Sequence, residues 1–346
     1  MGFFRRKTAR AVDPRPAIAD FWSWWAAHRG DVVKAVDEDR TDDALRMLQP
    51  LVAAIDARLS WQIVGSRGKR FALVVSSAGE SDLRSVAERW LLAAPDDGDV
   101  EFLSSRQRDP AVFESSTLKV DDYDFDMSEL EVGARVDTAS NKVDVAVYHP
   151  LFTLVDHDHR LQVAFVGLDA ALGETGVERW IGSVDVSVDK PLDSIAMASL
   201  SEVVDQLGSA GSGEWAAMEG RGPRGPVFAI IRRAVGRHTH PLADTHIAVV
   251  LEYDAAGNGM PSDPSISNDI EELEGKVVDA WGGEGPRVVH VGHVTGGGQV
   301  VAHFYVDGLE VDADAVRPVL SGWSRGKTST AKSHDPQWEH VAPFMR

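Results

Sequence analysis

The last hundred residues alternate between two hydrophobic periods, and this alternation constrains the fold more than any other feature. Apolar residues that alternate or cluster in short runs indicate strands, and apolar residues every three or four positions indicate helices. From His246 onward the predicted order is strand, helix, strand, strand, helix, strand, over 246–253, 266–281, 287–294, 300–306, 313–320 and 327–332. This is the βαββαβ order of the ferredoxin-like arrangement, preceded by one additional predicted strand at 227–235. Many unrelated activities share that arrangement, so it predicts architecture and not function.

The chain is long enough for two domains, because single hydrophobic cores rarely exceed about 250–300 residues. A Gly-, Ser- and Pro-rich segment is expected to be a flexible linker between an α+β first domain and the ferredoxin-like α+β second domain. The expected N-terminus, mixed α+β domain, linker and ferredoxin-like domain cover 1–16, 17–207, 208–226 and 227–346. The first domain is expected to open with a helix over 18–28 that ends at Gly30.

Composition limits the classes of function and of partner. A net charge of -19 disfavours direct nucleic-acid binding, which depends on Lys and Arg. The acidity either keeps the surface solvated, which is the commoner use, or attracts a basic protein as partner. The absence of cysteine excludes thiolate catalysis and cysteine-ligated metals, and it is compatible with a cytoplasmic location. The sequence contains no apolar run of membrane-spanning length, and the few cations of residues 1–10 predict no stable membrane association.

Short motifs in the second half resemble a known bacterial family. They are Gly257-Asn258-Gly259-Met260-Pro261-Ser262, the acidic run 269–274, His303-Phe304-Tyr305 and Asp335-Pro336-Gln337-Trp338-Glu339. Residues 226–346 thereby resemble the bacterial domain of unknown function family six-nine-five. The resemblance implies no activity. That family's domain sometimes accompanies a domain like the regulator of ribonuclease E activity B, an inhibitor of an RNA-degrading enzyme, which implies an inhibitory binding module.

The first half does not have the pattern of that regulator. Its aromatic run Phe21-Trp22-Ser23-Trp24-Trp25, the Ala93-Ala94-Pro95 turn and the segment 168–182 are similar to an uncharacterised bacterial segment. No role for any residue follows from this second resemblance.

Two carboxylates, Glu174 and Glu178, are the candidate catalytic pair. They follow Gly173 at a predicted helix end, and a general acid and base would require one buried and one ionised carboxylate. The alternative is structural: Gly173 ends the helix and Glu174 hydrogen-bonds to backbone in the following turn.

His290 and His303 are the candidate metal ligands, because a tight hairpin at Gly296 would place them across from each other. His293, three residues after His290 on a regular strand, is expected to point to the opposite face, which leaves too few ligands for zinc. The expected cofactor content is therefore none. The run Asp156-His157-Asp158-His159 is a further metal candidate, although solvation at a helix start explains it better.

Trp24 is the candidate interaction residue. Trp22 and Trp25 share one helix face, whereas Trp24 points elsewhere and can present its indole to a partner. No phosphate-loop motif, Gly-x-x-x-x-Gly-Lys-Ser/Thr, occurs. The leading hypothesis is a non-catalytic protein-binding or inhibitory module, immunity-like or nuclease-restraining. The alternative is a carboxylate- or metal-dependent hydrolase.

Overall fold

The computed structural model describes residues 13–138, 140–209 and 215–345, and it shows a mixed α+β protein. The chain divides into two compact units between Ser104 and Ser105. The basic residues of positions 1–12 and most of the expected flexible N-terminus lie outside the described residues. Among the described helices, none combines the length and apolar character needed to cross a membrane.

From residue 13 onward, the first unit contains three α-helices and one small sheet. In chain order its elements are α1 Arg15–Asp37, α2 Thr41–Ile55, β1 Ser60–Val64, β2 Phe71–Ser76, α3 Arg84–Leu92 and β3 Val100–Leu103. β1 pairs antiparallel with β2, and β2 pairs parallel with β3 through the crossover helix α3. Every residue of β2 is buried, as expected for the central strand of a covered sheet.

Aromatic side chains of α1 and α3 form the core of this unit. Trp22 stacks on Trp90 with ring centroids 4.9 Å apart, and Phe102 of β3 meets both indoles edge-on. The helix predicted to end at Gly30 continues to Asp37. An internal glycine costs about 1 kcal/mol relative to alanine, and burial of the apolar face after it outweighs that cost. The buried residues of this face are Val32, Val33 and Ala35.

Within the described residues, the second unit begins with a mixed region of six strands and four α-helices. Its elements are α4 Val112–Ser115, β4 Thr117–Val120, β5 Tyr123–Asp126, β6 Glu131–Asp137, β7 Lys142–Tyr148, α5 His157–Leu172, α6 Glu174–Trp180, β8 Ile181–Ser187, β9 Ile195–Ala196 and α7 Leu200–Ser209. Four of these strands form a sheet in the order β8-β7-β6-β9. Alternate residues of β7 are buried, so one face of this sheet packs against α5 in a common core.

A six-stranded antiparallel sheet dominates the rest of the second unit. Its elements are β10 Trp215–Gly222, β11 Gly225–Arg232, β12 Thr245–Glu252, α8 Ser265–Ala280, β13 Val288–Gly296, β14 Gln299–Val306, α9 Arg317–Ser321 and β15 Thr328–His334. The strand order is β10-β11-β13-β14-β12-β15. One face packs on α8 and α9, and the other is covered by the C-terminal residues Trp338 and Val341.

The segment expected to be a linker differs from that expectation. β10 and the start of β11 fall within 208–226, and they form a hairpin in which Gly222 pairs with Gly225. Residues 210–214 lie outside the described part of the chain. Glycine and proline favour tight turns as much as linkers, and here β11 also pairs with β13, which holds the hairpin in the sheet.

Candidate metal centre

Three side chains of the second unit converge between helix α8 and strand β13. Glu274 projects from α8, and His290 and His293 project from β13 towards it. His293 Nδ1 lies 2.8 Å from Oε1 of Glu274, and His290 Nε2 lies 3.7 Å from the same oxygen. One ligand atom from each residue lies within 4.8 Å of the others. A tetrahedral zinc ion at about 2.0–2.2 Å from its ligands spaces them about 3.3–3.5 Å apart, so this cluster has the right size.

A β-bulge places both histidines on the same face of the sheet. His290 pairs with Phe304, and Gly292 pairs with His303, the next residue of β14. Strand β13 therefore has one more residue than β14 between these two pairs. The extra residue shifts the alternation of the strand, and residues three apart then point to the same side. The expectation that His290 and His293 point to opposite faces holds for a regular strand and is wrong for this one.

Gly292 is required at the bulge, and its replacement tests the bulge directly. Its φ is +137°, and an added Cβ would clash with the backbone carbonyl oxygen of Ile230. We expect Gly292→Ala to lower the free energy of unfolding by about 2 kcal/mol and to weaken metal binding. Urea denaturation would measure the loss. The matched control is Gly275→Ala, whose Cβ meets nothing within 4 Å; in helix α8 it should be neutral or stabilising by up to about 1 kcal/mol, and equal losses in both variants would contradict the role of the bulge.

The orientation of His290 is explained poorly by protein contacts alone. Its ring stacks on Phe304 with centroids 4.7 Å apart, and Nε2 is buried with no hydrogen-bond partner among the described residues. A buried nitrogen without a partner is costly, so a native structure normally provides one. Burial lowers the pKa of His290, which keeps the imidazole neutral and able to bind a cation.

The cluster opens into a cleft of about 720 Å³, here called the metal cleft. Apart from the histidines, its ionisable side chains are four carboxylates and one guanidinium, which give a formal charge of −3. The carboxylates belong to Glu271, Glu274, Asp279 and Glu284, and the guanidinium belongs to Arg232. Such a surface attracts cations. Arg232 donates to Glu284 Oε1 at 2.7 Å, and its guanidinium lies 5.6 Å from the centroid of Trp215 at the edge of the cleft.

The other candidate ligand, His303, lies on the opposite face of the sheet. Its Nδ1 is 3.0 Å from Nε2 of His246 on β12, and His246 in turn contacts His340, with ring centroids 4.3 Å apart. The structure therefore does not bring His290 and His303 together. Burial, with a contribution from His340, lowers the pKa of His303 to about 4. In neutral form, one imidazole of the His246–His303 pair donates to the other.

The two candidate catalytic carboxylates serve structural contacts. Glu174 is buried, and its Oε2 accepts a hydrogen bond from the backbone N–H of Arg106. Glu178 forms an ion pair with Arg237. Gly173 adopts a positive φ at the end of α5, as the structural alternative expects. Nearby, burial raises the pKa of Asp169 to about 6, although its ion pair with Arg106 opposes that rise.

Trp24 and the Asp-His run are also explained by local contacts. The indole of Trp24 is half-buried and stacks on His28 with centroids 4.5 Å apart. Asp156 caps helix α5 by accepting a hydrogen bond from the backbone N–H of His159. Less of Trp24 is therefore available to a partner than the sequence suggests.

Sequence reasoning missed Glu274 and His293, although two signals indicated them. Glu274 follows Ile270 by four residues and precedes Val278 by four, so it belongs to the inward stripe of a helix. A carboxylate in such a stripe is a buried charge that requires a partner. The isolated Gly292 in a predicted strand indicated a bulge.

Comparison with known proteins leaves this geometry as the main guide to function. No family model, no curated protein and no solved structure matches the chain. The resemblance to the domain of unknown function therefore rests on its short motifs alone.

Proposed function

We propose that this chain is a metal-dependent hydrolase that binds one zinc ion through Glu274, His290 and His293. The observation that carries the proposal is the convergence of both imidazoles on one carboxylate oxygen, with His290 Nε2 buried and otherwise without a hydrogen bond. Two imidazoles and one carboxylate suit zinc, and three protein ligands leave one position for water, the arrangement of catalytic sites.

The lining of the metal cleft supports hydrolysis as the chemistry. Zinc lowers the pKa of bound water to about 7 and so supplies a hydroxide at neutral pH. The Arg232 guanidinium is held by Glu284 beside the three ligands, where it can bind an oxyanion that develops on a substrate. Trp215, which is 47% exposed, provides an apolar wall for the substrate.

Metal content and ligand variants test the metal site. We expect the full chain, purified without chelator, to contain about one zinc per molecule by elemental analysis. Stripped protein should regain zinc in a competition titration with a chromophoric chelator. His290→Ala and His293→Ala should each weaken zinc binding at least about hundredfold, because loss of outer contacts alone costs 10–100-fold. The control is His334→Ala, at an exposed position of β15, which should bind zinc like the wild type. Unchanged affinity in His290→Ala would contradict the site.

Hydrolysis is tested separately with a panel of chromogenic esters and phosphoesters. Activity should disappear on stripping, return with zinc, and rise with pH around an apparent pKa near 7. Zinc binding without turnover of any member of the panel would contradict the hydrolase while leaving the metal site. Bound iron in place of zinc would point to oxygen chemistry instead.

The non-catalytic binding module remains the rival hypothesis, with a basic cytoplasmic protein as its partner. Tightly bound stoichiometric metal would contradict it, since that hypothesis requires none. A pull-down that compares the wild type with Trp24→Ala tests its interaction residue.

We also propose that β12–β15, α8 and α9 form a ferredoxin-like domain. The order β15-β12-β14-β13, antiparallel throughout, supports this assignment, because it is the order in which two βαβ repeats interlock. The β10–β11 hairpin would then extend that domain at the β13 edge.

A further inference from the structure

A second cleft of the same unit has the opposite charge. It has a volume of about 580 Å³, and it is lined by Lys142, Arg179, Arg233 and Arg237 against the single carboxylate of Glu178. Four cations against one anion leave a formal charge of +3, in a chain whose net charge is -19. None of its lining residues belongs to the metal cleft. We call it the basic cleft.

The cations of the basic cleft are held in place by the fold. Lys142 Nζ donates to the carbonyl oxygens of Glu178 and Arg179, at 3.0 Å and 2.6 Å, where helix α6 ends. An ammonium group has three donors, so one N–H of Lys142 remains for another acceptor. Arg237 is fixed by its ion pair with Glu178.

Two further groups have donors to offer in this cleft. The guanidinium of Arg179 lies over the ring of Trp180, 4.3 Å from its centroid, and pairs with no carboxylate in the described part of the chain. His238 makes no hydrogen bond within the same residues. Burial first, and then the nearby charges of Arg179 and Lys142, lower the pKa of His238 to about 4. The imidazole is therefore a neutral donor among cations.

We propose that the basic cleft binds a phosphorylated small molecule, with Lys142, Arg179 and Arg237 around the phosphate groups. A formal charge of +3 matches a multivalent anion, and planar guanidinium groups bind phosphate through paired hydrogen bonds. The cleft volume lies within the range of small-molecule sites and exceeds what a single phosphate ion fills. The indole of Trp180 is buried, and the guanidinium of Arg179 that lies over it is thereby held at the cleft.

The test uses pyrophosphate as the probe, with the full chain in an isothermal titration. We expect saturable one-to-one binding with a Kd below about 1 mM, weakened by added salt. Citrate, a carboxylate anion of similar charge, should bind at least about tenfold more weakly. No pyrophosphate binding, or tighter binding of citrate, would overturn the proposal.

Variants separate the cleft from general surface charge. Arg179→Gln should weaken pyrophosphate binding at least about tenfold, because it removes a charged donor and leaves the backbone contacts of Lys142 intact. Arg135→Gln removes an equal charge from an arginine that is 84% exposed and outside the cleft, and it should bind like the wild type. Equal effects of the two variants would overturn the site.

A last titration tests whether pyrophosphate binds through a metal ion in the metal cleft. The titration is repeated with Glu274→Gln, in which the metal site is impaired. Unchanged affinity is expected, and loss of binding would show that pyrophosphate reaches the metal cleft instead. The result is independent of whether the chain hydrolyses anything, so failure of the basic cleft and failure of the proposed hydrolase are distinguishable.

Discussion

Acidification from pH 7 to pH 4 should destabilise the six-stranded sheet by about 3 kcal/mol through His246. Burial, with added like charge from His303 and His340, lowers the pKa of His246 to about 3. The residue is only 4% exposed. An unfolded histidine has a pKa near 6.5, so below that pH the unfolded chain binds the proton and the folded chain does not. Stability is therefore complete above about pH 6.5 and falls as the pH approaches 3.

Asp335, beside His246, and Asp169, elsewhere in the second unit, also affect how steeply stability falls as the pH is lowered. Asp335 near His246 partly offsets the burial, and it also accepts a hydrogen bond from the Tyr305 hydroxyl at 2.5 Å. Asp169 has the opposite effect on stability, because burial raises the pKa of its carboxyl to about 6 and protonation then favours folding. The wild-type curve thus sums several groups, and only a difference between variants isolates His246.

A comparison of His246→Gln with the wild type provides that difference. Glutamine does not titrate, and it can still hydrogen-bond to His303, so the loss between pH 7 and pH 4 should shrink by about 3 kcal/mol. Urea denaturation at several pH values, followed by hydrogen exchange in β12 and β14, measures it. His334→Gln, at an exposed position, should keep the wild-type slope. An unchanged slope in His246→Gln would show that other groups cause the acid sensitivity.

Trp90→Ala should lower the stability of the first unit by about 3–5 kcal/mol. Trp90 is fully buried, and its ring contacts Phe21, Trp22 and Phe102. Truncation leaves a large cavity at the centre of the aromatic core, which α1, α3 and β3 cannot collapse to fill. Hydrogen exchange of peptides from β2 and α3 measures the stability of the first unit by itself. This is necessary because a chain of two units need not unfold in one step.

Two comparison variants define the cause of that loss. Trp90→Phe keeps an aromatic ring and removes an indole N–H that is buried without a hydrogen-bond partner among the described residues. It should cost about 1–2 kcal/mol. Trp24→Ala removes a half-buried indole from the same helix as Trp22, and it should cost about 1 kcal/mol. If Trp24→Ala lowered the stability as much as Trp90→Ala does, the helix face of Trp22 and Trp25 would not be the principal core.

The order of helices and strands after His246 was predictable because its signals are local. The helix predicted at 266–281 runs from Ser265 to Ala280, and the strand predicted at 300–306 runs from Gln299 to Val306. Buried strands and amphipathic helices both record their environment in hydrophobic periodicity.

The division into units was not predictable in the same way. Whether a segment rich in glycine and proline becomes a linker or a paired hairpin depends on distant strands. Here β11 pairs with β13, some sixty residues later, and no residue near the Gly222–Gly225 turn encodes that partner. The boundary between Ser104 and Ser105, in contrast, has no unusual composition.

The candidate metal centre was only partly predictable for a related reason. His290 was a candidate from the sequence, but its neighbours come from a helix sixteen residues earlier and from a strand whose register is interrupted. Periodicity gives the face of a residue only while the period holds. At the bulge it fails by one residue, and that single step decides whether His293 is a ligand or a residue of the other face.

The bulge also changes how relatives of this chain should be sought. Deletion of Gly292 would leave His290 and His293 two positions apart on a regular strand, where they again share a face. A missense change at the same codon would place a side chain against the carbonyl of Ile230, whereas loss of the codon would not. A shortened His-x-His form and the His-x-Gly-His form should therefore both place the two histidines on one face, and a search that fixes either spacing would miss sequences with the other.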